Sequence, residues 1–155
     1  MDTQQIKERL KASLEVTCAR NNLIMYLVAI PLCAAAVMFT KGRSHPEHWA
    51  VVSVLAAIML LPFAVFYLWR IIRIFRKPEG YIFCRAKLSQ PHPGDMRHTM
   101  YYTVLLEAED GGRFFVDTHA IFYSHGVVGP TIEEYTNRTV TIAYNRETEM
   151  VVVIG

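Results

Sequence analysis

The chain has 155 residues, 52% of them hydrophobic, and a formal net charge of +2. That size holds a membrane-embedded part and one small soluble domain but leaves no room for a large multidomain enzyme. The charge is too small to imply a nucleic-acid partner, and three scattered cysteines, Cys18, Cys33 and Cys84, argue against a disulfide framework and for a reducing compartment.

Residues 1–22 read as a cytoplasmic N-terminal helix. Ile6, Leu10 and Leu14 form a sparse apolar stripe flanked by Lys7 and Lys11, which fits either an interfacial helix or a weakly packed cytosolic one.

Two apolar runs follow, 23–39 and 49–69, and neither contains Asp, Glu, Lys, Arg or His. Each is close to the roughly 20 apolar residues a helix needs to cross a hydrocarbon core of about 30 Å. A helix also satisfies its own backbone hydrogen bonds there. Residues 23–78 are therefore expected to form a transmembrane hairpin with a basic juxtamembrane extension. A cleaved secretory signal fits less well, because a long polar stretch precedes the first run and a second run follows closely; Ala34, Ala35 and Ala36 are what such a reading would rest on.

Orientation follows from the basic residues. Lys7, Arg9, Lys11 and Arg20 precede the first run and Arg70, Arg73, Arg76 and Lys77 follow the second, whereas the linker offers only Lys41 and Arg43. Positive residues stay on the cytoplasmic side, so both termini are expected in the cytoplasm of a bacterial inner-membrane protein. Trp49 at one boundary and Tyr67 and Trp69 at the other have the amphipathic rings favoured at interfaces. Arg70, Arg73, Arg76 and Lys77 share one helical arc, which suits anionic lipid headgroups.

Within the runs, Pro31 and Pro62 are expected to bend the helices. Ala29 with Cys33, and Ser53 with Ala57, place small residues four apart where helices can approach closely. Neither run contains an Asp, Glu, Lys, Arg or His to mark an ion or proton path.

After Gly80 the apolar period becomes strand-like. Strands are expected near 81–89, 99–109, 113–123, 138–144 and 149–154, with Asp110, Gly111 and Gly112 forming a hairpin turn. Met150 to Ile154 is apolar on both faces, so it should be central in a sheet, in a barrel seam, or covered by a partner. The fold class expected is α+β: a two-helix transmembrane hairpin followed, over residues 79–155, by a cytoplasmic antiparallel β-barrel or curled sheet of about five strands.

Gly80-Tyr81-Ile82, Tyr101-Tyr102-Thr103-Val104, and Thr139 to Asn145 before Met150 to Ile154 carry a resemblance to a family of uncharacterised bacterial membrane proteins in which two helices accompany a small β domain. The resemblance implies that architecture and no established activity. Family members often have Asp-Pro after the tyrosine, where this chain has Asn145-Arg146.

The soluble part offers little chemistry. His92, His98, His119, His125 and Cys84 have no metal-ligand spacing, and Asp117, His119 and Ser124 lack a nucleophile elbow. Gly126 to Pro130 is too short for a phosphate loop and lacks its Lys-Ser/Thr. Neither a cofactor nor a metal is expected. The segment with Gly126, Gly129, Glu133, Glu134 and Tyr135 is the expected place for a protein partner or a second copy. The function expected is non-enzymatic: a membrane-anchored interaction or scaffold protein. Alternatives are a small membrane-associated enzyme using the histidines, and an accessory subunit of a transporter or channel.

Overall fold

A computed structural model of the chain describes residues 2–40, 46–94, 99–107, 112–119, 121–122 and 135–154. The chain divides into two compact units, one formed by Met1–Ala19 with Ile71–Gly155 and the other by Arg20–Arg70.

The second unit is helical. Helix α2 spans Leu14–Thr40 and α3 spans Pro46–Phe75, with Pro31 and Pro62 inside them. Both are longer than the apolar runs they contain, because polar residues continue each helix beyond its apolar part. Both contain a stretch long and apolar enough to cross a membrane, Leu14–Cys33 and Ala50–Phe75. Along α3 the less exposed residues, Ser53, Ala56, Ala57, Leu60, Ala64 and Tyr67, recur at helical spacing and so share one face. Tyr26 of α2 packs on that side, stacking on Phe63 at 5.3 Å and on Tyr67 at 5.7 Å between ring centroids.

The first unit is a layered α+β domain. Its central sheet has the order β1-β7-β8, with β1 at Tyr81–Lys87, β7 at Thr139–Asn145 and β8 at Met150–Ile154, all antiparallel. β-branched residues suit such half-buried pleated positions. One face, with Ile142, Val151 and Val153, packs against Tyr102, Val104, Leu106, Leu14 and Cys18. The other face, with Tyr81, Ala143, Met150 and Val152, packs against Ile6, Leu10, Val16 and Ile74. Helix α1, Thr3–Lys11, is thus core, since Ile6 and Leu10 are both buried.

This layering explains why β8 is apolar on both faces although it lies at the edge of its sheet. Its outward backbone groups are met by neighbouring chain: His119 N–H donates to Val151 C=O at 3.1 Å, and Val153 N–H donates to both Glu15 carboxylate oxygens, at 3.0 and 2.9 Å. An uncovered edge would invite pairing with another chain.

The strands do not close into a barrel. Among the described residues there are eight strands in three sheets: β1-β7-β8; β2 (His92–Pro93), β3 (Thr99–Tyr101) and β6 (Ile121–Phe122) in the order β2-β3-β6; and the hairpin of β4 (Thr103–Glu107) with β5 (Arg113–Asp117). Two single bridges, Leu88 with Val104 and Thr118 with Val151, join the central sheet to the β4–β5 hairpin. The two long strands expected at 99–109 and 113–123 each break, and the breaks face one another. Thr118 N–H donates to Tyr102 C=O at 2.8 Å, but Tyr102 N–H turns to the Thr118 hydroxyl at 2.9 Å. A side chain therefore replaces a backbone acceptor, and both strands leave one ladder for the next at this point.

Candidate interaction surfaces

The junctions within the β domain are built from buried polar side chains. Ser13 lies between α1 and α2: its hydroxyl accepts Val16 N–H at 3.3 Å, as an N-cap should, and its backbone bridges Ile154. Glu15 in the first turn of α2 is buried and caps the β8 edge, where it also suits the positive end of the helix.

Asn145 is the second junction. Its amide nitrogen donates to Lys77 C=O at 2.8 Å, and its Oδ1 accepts from Glu147 N–H at 3.0 Å and Thr148 N–H at 3.2 Å. Gly80 lies against it so closely that a Cβ there would stand 2.8 Å from Oδ1. Glycine is therefore required by close approach.

Burial moves several ionisable groups. It pushes the Tyr102 hydroxyl up to about 12, aided by nearby Tyr135, Glu15 and Cys18 and opposed by a hydrogen bond with Thr136. Burial, then the Glu15 carboxylate, raises Tyr81 further, with Arg73 opposing. Burial also raises the Cys84 thiol, which keeps it protonated and a poor nucleophile.

The residues expected at a membrane boundary fall into different settings. Tyr67 and Arg70 are buried, and the Arg70 guanidinium sits over the Phe66 ring at 5.8 Å; Trp69 is exposed. Arg73 and Arg76 are exposed. Lys77 pairs with Glu147 at 2.6 Å, a surface contact that tethers the helix exit to the β7–β8 turn. The Trp49 side chain lies outside the described residues. Of the small residues expected at helix contacts, Ala29, Ser53 and Ala57 are half-buried and Cys33 is exposed.

Of the segment expected to meet a partner, Gly126, Gly129, Glu133 and Glu134 lie outside the described residues, as do His98, Ser124 and His125. Tyr135 is half-buried against the core. His92 is exposed beside the Tyr101 ring, and Asp117 accepts the Thr103 hydroxyl at 2.8 Å. Among the described residues no three His, Cys, Asp or Glu side chains are grouped to hold a metal ion.

Among the described residues, exposed large apolar side chains fall into two sets. On the long helices they include Leu32 at 62% and Met59 at 71% exposure; on the β domain the largest is Phe115 at 73%, beside Leu105 on the outer face of the β4–β5 hairpin. Sequence reasoning missed this second set, although two adjacent phenylalanines in a strand necessarily face opposite sides. No family model, curated protein or solved structure matches the chain.

Proposed function

We propose that this chain is a membrane-anchored, non-enzymatic interaction or scaffold protein that carries a small β domain at the cytoplasmic face of a bacterial inner membrane. The observation that carries this reading is the run of large apolar side chains left exposed along α2 and α3, from Ile24 to Leu32 and from Val51 to Ile72. Soluble proteins rarely expose contiguous apolar surface beyond a few hundred Å². A bilayer would cover it. Lysines and arginines on either side of the two apolar runs support the orientation with both termini inside.

Arg73 and Arg76, exposed at the end of α3, are the residues offered to anionic headgroups, each contributing on the order of 1 kcal/mol near such a surface. The resemblance to two-helix proteins with a small β domain belongs to the same proposal. Washing isolated membranes with alkaline carbonate tests the anchoring: the chain should stay with the membrane and leave it only in detergent. Release into the aqueous wash would overturn the reading.

A further inference from the structure

We infer that the outer face of the β4–β5 hairpin is a self-association surface whose occupant is the same face of a second copy; the inference rests on the interaction role proposed above and gives it a site. In register, Thr103 faces Asp117, Leu105 faces Phe115 and Glu107 faces Arg113 across the two strands. Alternation sends the intervening Val104 and Leu106, with Phe114 and Val116, toward the core, so these six side chains form the outward face. Its centre is apolar, Phe115 at 73% and Leu105 at 44% exposure, and charged residues bound it at both ends.

The charge pattern fits a two-fold partner. A C2 contact places the same patch on itself, so the patch must be self-complementary. With the axis across the strands, Phe115 meets its own counterpart and Arg113 meets the carboxylate of Asp117. With the axis along the strands, Phe115 meets Leu105 and Arg113 meets Glu107. Either way each arginine faces a carboxylate, both apolar side chains are covered, and no like charges are brought together. Arg113 and Glu107 are register neighbours yet form no ion pair with each other or with any other described residue, which leaves both available across an interface. Six side chains cover less than the roughly 800 Å² per partner of a standard interface. Pairing therefore gains from the raised effective concentration of copies held in one membrane.

The test uses two differently tagged full-length copies made together and crosslinked while still in the membrane, then solubilised in mild detergent, with one tag captured and the other measured. The unsubstituted copies should co-isolate. Phe115→Glu in both should lower co-isolation about tenfold, one 1.4 kcal/mol step, while Ile82→Glu, another exposed apolar position, should not. Arg113→Asp should weaken pairing likewise, and one of two reversals should restore it: with Asp117→Arg if the axis crosses the strands, or with Glu107→Arg if it follows them. Absence of co-isolation in the unsubstituted protein, an unchanged yield for Phe115→Glu, or failure of both reversals would overturn the inference. Carbonate retention measured in the same preparation separates loss of pairing from loss of anchoring.

Discussion

Glu15 and Val153, 138 residues apart in sequence, are joined by two hydrogen bonds in which the Val153 amide is shared by the carboxylate oxygens at 3.0 and 2.9 Å. The contact closes the open edge of β8 with a side chain from the start of α2. A bond to a charged acceptor is worth about 1.5–3 kcal/mol, and removing the acceptor also strands a buried donor. Glu15→Ala should cost about 2–3 kcal/mol in a urea titration of the detergent-solubilised protein, with faster hydrogen exchange at the Val153 amide. Glu15→Gln, which keeps an oxygen acceptor, should lose less. Equal losses for both variants would deny the bond this role.

Asn145 and Gly80 predict a non-additive pair. Gly80→Ala should destabilise because its new methyl meets the Asn145 amide at 2.8 Å, and Asn145→Ala should destabilise because Lys77 C=O and the turn amides lose their partner. In the double variant the clash disappears with the side chain. Its loss should be smaller than the sum by about 1 kcal/mol, within the range measured for residues in contact. Simple additivity would mean that the close approach costs nothing.

Glu149 holds φ at 52° in the turn that follows Asn145. The left-handed region costs a non-glycine residue about 1–2 kcal/mol. Glu149→Gly, and to a smaller extent Glu149→Asn, should therefore raise stability by about 1 kcal/mol in the same urea titration. A loss of stability would show that the Glu149 side chain has a role outweighing the backbone strain.

Alkaline pH should expose the buried tyrosines. Unfolded Tyr102 gives up its proton near the ordinary 10.0, whereas the native hydroxyl keeps it to about 12, and Tyr81 keeps its proton further still. Between those values the unfolded state binds fewer protons, so stability falls as pH rises. Below the ordinary value both states are protonated and this contribution is fully present. Absorbance of tyrosinate should show at least two of the eight tyrosines titrating only as structure is lost. Titration of all eight before any loss of structure would contradict their burial.

The legible parts of the fold were those encoded by local pattern. Uncharged runs mark α2 and α3 and alternation marks β7; β4 and β5 pair as a hairpin, while Asp110 and Gly111 of the turn expected between them lie outside the described residues. The ties that shape the domain depend on distant partners. Nothing around Glu15 announces that it serves Val153, and nothing around Ile6 and Leu10 says whether their stripe meets lipid or a sheet. The breaks at Tyr102 and Thr118 were illegible for the same reason, since a threonine hydroxyl in place of a backbone acceptor leaves no periodic trace. Phe115 was legible in principle, because Phe114 already occupied the inward side.

The proposed topology has α2 and α3 crossing a bilayer and the β domain inside the cell. Single cysteines introduced at Ser44 in the linker and at Arg146 in the β7–β8 turn, in a chain whose own cysteines are replaced by serine or alanine, test it with a membrane-impermeant maleimide on intact cells. The proposed topology is met by labelling at 44 from outside and at 146 only after the cells are opened. Labelling at 146 in intact cells, or at neither position until they are opened, would contradict it.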